Sequence, residues 1–267
     1  MIRRPAVAGK FYPLSPDDLK KQLKQFMVEV EEKVDVMGAV SPHAGYMYSG
    51  SVAGAVYSHI HIPENVIILG PNHTGKGEMV SIMDSGEWEI MGKNVKINRD
   101  LANAILSNSQ HIKNDSAGHL HEHSLEVQIP FIQYFKEDFE IVPVTMMTND
   151  YKVCEDVGLA VSEGIKKLNK PVLIVASSDM THYEPIEFAD IKDKLAVEQI
   201  LKLDPKGLFE AFREYNMSMC GLAPTAVMLI ASKNLGAKEG RLIKYTTSGD
   251  VSGDFDQVVG YAGIIIF

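Results

Sequence analysis

Cysteine is scarce in this chain, with only Cys154 and Cys220 among 267 residues. The two show no C-x-x-C pairing and both fall in helix-like patterns, so free buried thiols in a reducing compartment are expected rather than a disulfide framework. Long apolar runs are missing too. No window approaches the ~18 to 20 apolar residues of a membrane span, and no apolar stretch follows the positive start Met1-Ile2-Arg3-Arg4-Pro5, which points to a cytoplasmic protein. Basic residues are the minority, 26 against 35 acidic, for a net charge of -9. That balance argues against nucleic acid or an anionic membrane as the main partner. Neither G-x-x-x-x-G-K-[ST] nor G-x-G-x-x-G occurs, so no nucleotide cofactor is expected, and the missing G-x-S-x-G elbow lowers a serine-hydrolase reading. Repeats, low-complexity tracts and Pro/Gly/Ser linkers are likewise absent, and a single domain over 1–267 is the simplest division.

What the chain does have is histidine at the ends of strands. The run Val36–Val40 enters Ser41-Pro42-His43-Ala44-Gly45-Tyr46, with a helix expected to start near Val52. Val66–Leu69 enters Gly70-Pro71-Asn72-His73, and Val172–Ala176 enters Ser177-Ser178-Asp179-Met180-Thr181-His182. In open α/β sheets ligands bind outside the carboxyl ends of the strands, where loops converge on a rigid frame. Three such histidines are expected to meet at one edge of one sheet.

Alternation of strand and helix patterns predicts a layered α/β fold. Ser15-Pro16-Asp17-Asp18 is a helix start, with Leu19, Leu23, Phe26 and Val30 on one face. Residues 79–97 read as a meander of three short strands, an antiparallel insert that implies a mixed sheet. Helices are expected over Arg99–Leu106 with Asn98 as cap, Tyr151–Leu168, Ile186–Leu203, Leu208–Tyr215 and Leu222–Asn234. Ile129–Phe135 reads as a strand by alternation or a helix kinked at Pro130, and the helical spacing of Leu125, Ile129, Ile132 and Phe135 favours the helix. Strands are expected over Phe139–Met147, Arg241–Thr247 and Val258–Phe267.

Imidazole is a common ligand for zinc, iron and copper, and His43 and His73 are the best candidate ligands. Each alternatively only fixes its own turn. His182 reads as a general base oriented by Asp179, with a third-ligand or structural role as the alternatives. His123 and Glu126, three apart, would share a helix face beside the metal. His119, His121 and Glu122 read as a solvated polar loop, and no H-E-x-x-H helix is present. Thr247–Asp254 is first a tight turn, which would also deliver a carboxylate if it lies near the histidines.

Arg4-Pro5-Ala6-Val7-Ala8-Gly9-Lys10-Phe11-Tyr12-Pro13, Pro42–Tyr46, Gly70–His73, Glu122–Phe131, Ser177–His182 and the Tyr245–Tyr261 tail, in this order, resemble the Memo family along essentially the whole chain. The resemblance implies a three-layer α/β/α fold similar to the catalytic subunit of class III extradiol dioxygenases. In those enzymes two histidines and a glutamate hold a non-haem Fe(II), and two further histidines line the pocket. By motif, His43 and His73 would be the ligands of Fe(II) or another divalent metal, and His123 and His182 the pocket histidines. In animal Memo proteins a cysteine of the carboxy-terminal turn completes the site. Matching the tail puts Val251 at that position, so the resemblance leaves Asp250, or Glu126, as the third ligand. The alternative is a non-catalytic module for a peptide or small ligand, with possible protein partners, since animal Memo proteins are associated with signalling. Zinc-dependent hydrolysis is a third reading.

Overall fold

The computed structural model describes residues 1–267. The chain opens with β1 (Ile2–Arg3), α1 (Pro16–Phe26), β2 (Gly38–Ser41), α2 (Tyr46–His59) and β3 (Asn65–Pro71). β4 (Val80–Ile82), β5 (Glu87–Ile90), β6 (Lys93–Ile97), α3 (Arg99–Leu106) and β7 (Lys113–Asn114) follow. A 3₁₀ turn over Glu126–Gln128 leads into α4 (Ile129–Phe135), then β8 (Glu140–Met146), α5 (Tyr151–Leu168), β9 (Val172–Ser177) and β10 (His182–Glu184). The last third holds α6 (Ile186–Leu201), α7 (Pro205–Glu214), α8 (Leu222–Asn234), β11 (Gly240–Thr247), α9 (Gly249–Ser252) and β12 (Val258–Ile266).

Helix starts follow local chemistry. Ser15, Asn98, Asp150 and Asp204 each accept a backbone N–H of the first turn of α1, α3, α5 and α7, satisfying donors that have no partner inside the helix. Three expectations need correction. α1 stops at Phe26, so Val30 lies beyond its face. α2 starts at Tyr46 rather than near Val52, because the Gly45 carbonyl already accepts from Tyr48 and Ser49 and the Ser49 hydroxyl donates to Ala44 O at 2.9 Å. Pro130 does not kink α4. It sits in the first turn, where a missing N–H costs nothing.

The strand order is β1-β5-β6-β8-β3-β9-β2-β12-β10, with β11 also on β12, and β4 on β8 with β7 beyond it. From β6 to β2 the neighbours are parallel, while β12 runs antiparallel to β2. The expected meander is only partly one. β5 and β6 form an antiparallel hairpin, whereas β4 pairs with β8 and β7 and is spliced into the main sheet. Alternate strand residues divide the core, as a period of two requires. Val40, Ile67, Leu69, Val144 and Ile174 face the layer of α3, α5, α7 and α8. Ala39, Val66, Ile68, Leu173 and Val175 face α1, α2 and α4. This is a three-layer α/β/α fold around a mixed sheet. β3, β9 and β2 are adjacent and parallel, so the turns after them open side by side at one edge. No helix is long and apolar enough to cross a membrane.

The amino-terminal segment is tied to this frame by one buried ion pair. Arg3 Nη1 donates to Glu126 Oε2 at 2.5 Å, and neither side chain has any exposure. Arg3 Nε and Nη2 donate to the carbonyls of His119 and Glu122, and the guanidinium stacks 4.1 Å from the Trp88 ring. Glu126 also accepts from Ala6 N, Val7 N and the Tyr12 hydroxyl. Removing one charge leaves the other buried without a partner. Arg3→Met is therefore expected to cost roughly 3–5 kcal/mol in urea unfolding. Adding Glu126→Gln to it should recover part of the loss, because the amide oxygen still accepts from the remaining donors. A single variant as stable as the wild type would contradict this account.

Candidate functional site

His43 is fixed from both sides. Its backbone N–H donates to Asp179 Oδ1 at 2.8 Å, and its Nδ1 lies 3.0 Å from Ser177 Oγ. The Ser177 hydroxyl gives its only hydrogen to the Ser124 carbonyl at 2.6 Å and accepts from Gln128 Nε2 at 2.8 Å. It can therefore only accept from the ring, so Nδ1 of His43 carries the hydrogen and Nε2 keeps its lone pair. That Nε2 lies 3.2 Å from Cys220 Sγ. Burial, then the neighbouring His73 and His123, push the His43 pKa well down, which keeps the ring neutral.

His73 and His123 are organised by Glu122. This buried carboxylate accepts from His73 N at 2.5 Å, His73 Nδ1 at 2.9 Å, and the backbone N–H groups of His123 and Ser124, both at 2.8 Å. Nδ1 of His73 is thus a donor, and Nε2 again holds the free lone pair. The three rings approach closely, with centroids 5.2 Å (His43–His73), 5.6 Å (His43–His123) and 4.7 Å (His73–His123) apart. One ligand atom from each lies within 4.8 Å of the other two, so the group could hold a metal ion. Burial lowers the pKa of His123, with Glu122 acting in the opposite sense. At Glu122 itself burial opposes ionisation, but the His73 hydrogen bond and the charge and amide donors around it bring the pKa down to about 2.

These rings form one wall of a pocket of about 590 Å³, whose other sides include Phe11, Tyr48, Asp179, His182 and Tyr261. Nδ1 of His182 lies 3.0 Å from the Ser218 carbonyl, and the backbone N–H of His182 donates to Ser218 Oγ. A carbonyl only accepts, so Nδ1 holds the hydrogen and Nε2 is free to take a proton. Ser218, not Asp179, therefore orients His182. The Asp179 carboxylate serves the His43 and Ala44 amides instead, and burial pushes its pKa up.

The structure brings His43, His73, His123, Asp179 and His182 to one pocket but leaves others out. Asp250 is exposed, and its carboxylate accepts from Thr246 Oγ1 and Thr247 N within the turn. Val251 is 49% exposed on α9. Glu126 shares no helix face with His123, which precedes the 3₁₀ turn; it is engaged by Arg3. His119 and Glu122 are buried rather than solvated, while His121 is exposed. Burial and the Arg3 charge lower the His119 pKa to about 3. The thiol at the cluster is Cys220, which reads as helical from sequence but lies in the turn just before α8. Gly221 makes that turn possible, because a Cβ there would run into the Ser178 side chain. The Cys-Gly step before the apolar run at Leu222 was the available signal.

Two outcomes follow. Long-range ¹H–¹⁵N spectra of the metal-free chain are expected to show His43, His73 and His182 as Nδ1–H tautomers, and an Nε2–H form of His43 or His73 would refute the network. The folded Glu122 pKa of about 2 lies below its ordinary 4.5, so its stabilisation is present above pH 4.5 and is lost as pH falls towards 2. Urea unfolding of Glu122→Gln is therefore expected to be less steep in pH across that window. A slope equal to the wild type's would assign the effect elsewhere.

The family described as Memo-like protein matches residues 3–265. A MEMO1 family protein of Methanopyrus kandleri is 43% identical over 279 residues, covering 99% of both chains. One of Methanosarcina barkeri is 43% identical over 268 residues, covering 99% of this chain and all of its own, and one of Aquifex aeolicus is 41% identical over 266 residues, with 99% and 98% covered. Among solved structures, an uncharacterised Escherichia coli K12 protein superposes with a TM-score of 0.52 at 11% identity, covering 85% of this chain and 98% of its own, a likeness of fold alone. With the family matched over nearly every residue and full-length relatives above 40% identity, the chain belongs to the Memo family.

Proposed function

We propose that the pocket is a metal centre, with an Fe(II) or similar divalent ion held by His43 and His73, and that it binds a small polar ligand beside His182. The observation that supports this reading most is the pair of pinned Nδ1 hydrogens. They leave Nε2 of both His43 and His73 with its lone pair, in a group of three imidazoles whose ligand atoms lie within 4.8 Å of one another and with the Cys220 thiol 3.2 Å from His43 Nε2. A divalent cation is the species that several converging imidazole lone pairs satisfy at once. The donor set suits this chemistry, since imidazole and thiolate both favour first-row transition ions. His123 and Cys220 are the two candidates to complete the coordination.

When bound, the ion supplies Lewis acidity and a fixed anchoring point for the ligand. The protein does the rest. Glu122 and Ser177 hold the imidazoles in their ligating tautomers, as carboxylates and hydroxyls commonly do behind metal-bound histidines. His182 accepts a proton from the ligand at Nε2 while Ser218 O keeps its other nitrogen protonated. The pocket volume of about 590 Å³ suits a small molecule.

Anaerobic titration with Fe(II) and with Zn(II), followed by elemental analysis, tests the proposal. Wild type is expected to bind stoichiometrically, His43→Ala and His73→Ala to lose that binding, and Asp250→Ala to retain it. Glu122→Gln is expected to weaken affinity by roughly 10- to 100-fold. Comparison of His123→Ala with Cys220→Ala identifies the remaining ligand. Wild-type protein that binds neither ion, or binding that survives in both histidine variants, would overturn the reading.

A further inference from the structure

The cluster has a second face. A separate cavity of about 280 Å³ borders His73 and Cys220 but neither His43 nor His123. Met146, Met147, Ala223 and Pro224 contribute to its wall, together with residues of the connection between β8 and α5 and the start of α8. Cys220 is half-buried, and this rear space rather than the main pocket is the one it lines. The two spaces also differ in charge. Asp179 and Asp254 line the main pocket, whereas no Asp, Glu, Lys or Arg lines the rear cavity.

We propose that the rear cavity admits a small uncharged reactant to the His73 and Cys220 side of the centre while the main pocket holds the larger polar ligand. The polar part of this open lining, Asn72, Thr148 and Asn149, offers no carboxylate, ammonium or guanidinium group to draw an ion in, so a neutral molecule is favoured there. The rear volume is about half of the front one, which sets the size difference between the two occupants. With a single opening, a seated ligand would block the second reactant. Two openings let both reach the same group of side chains in either order. The role as a reactant route rests on the metal-centre reading, whereas the access itself is measurable without any metal.

Cys220 reports that access. In the full-length chain treated with chelator, its thiolate attacks the sulfenyl sulfur of methyl methanethiosulfonate. A new S–S bond forms and methanesulfinate leaves with the bonding pair. Peptide mass spectrometry reads the modified fraction of Cys220 over time, separately from Cys154 within α5. Ala223→Leu, which fills the rear cavity, is expected to slow modification roughly tenfold, and Met147→Ala, which widens it, to accelerate it several-fold. Ser252→Trp, which crowds the main pocket, is expected to leave the rate within about twofold, and the anionic sulfonatoethyl reagent to react roughly tenfold more slowly than the neutral one. The proposal is overturned if Ser252→Trp slows the reaction while Met147→Ala leaves it unchanged, or if the anionic and neutral reagents react alike. Should Ala223→Leu fail to fold, Met147→Ala and the two reagents decide. Stoichiometric metal binding is scored separately, so a wild type that binds no ion sinks the metal centre without touching the labelling result.

Discussion

Arg3 and Glu126 form the constraint on which the site depends. A buried ion pair adds little net stability over an apolar pair of similar size, because desolvation of both charges offsets their attraction. What it does here is fix geometry. The guanidinium bonds the carbonyls of His119 and Glu122 and the carboxylate of Glu126, so the whole 119–126 segment is held against β1 and Trp88. The free sides of Glu126 are filled by Ala6, Val7 and Tyr12, which brings the amino-terminal segment under the same lock. Phe11, next in the chain to Tyr12, then packs 4.8 Å from the His123 ring and lines the pocket.

From that anchor the electrostatics of the site follow. Once its backbone is held by Arg3, Glu122 can collect four N–H groups from two segments and join the His73 turn to His123. One ionised carboxylate behind two imidazoles fixes their orientation and adds negative potential at the three-histidine group. His43 is treated differently. It is backed by the neutral Ser177 and Gln128, and its burial favours the uncharged ring that a metal requires. The His182 side has its own support, with Asp193 accepting from Thr181 N at 2.9 Å and from the Tyr245 hydroxyl, which holds the turn between β9 and β10.

Much of this was legible in the sequence, for a local reason. Apolar runs ended by Gly, Pro or Ser define β2, β3 and β9, the cap at Asn98 marks the start of α3, and helical periodicity gives the bounds of α5. Because these signals lie within a few residues of each other, the positions of His43, His73 and His182 on strand-end turns could be read directly. His123, read from its spacing to Glu126 and again by resemblance, does reach the pocket, but from the segment before the 3₁₀ turn and not from a face shared with Glu126. α2 was misread at its start because no side chain caps it; its N-cap is Gly45, and the first N–H, of Tyr46, is taken by the distant Phe11 carbonyl.

What the sequence by itself determined, then, is the layered α/β frame and the histidines at the strand ends, since both depend on short-range periodicity and turn chemistry. The tertiary structure alone decided which polar groups serve them. Cys220 meets His43 across 177 residues of chain, Glu122 meets His73 across 49, and Arg3 meets Glu126 across 123. Asp250, adjacent to the expected position and of the right chemistry, is instead consumed by its own turn. A carboxylate or thiol carries no mark of its partner in its immediate neighbours, because the choice is made by strand order and by the cost of leaving a buried donor or acceptor unpaired.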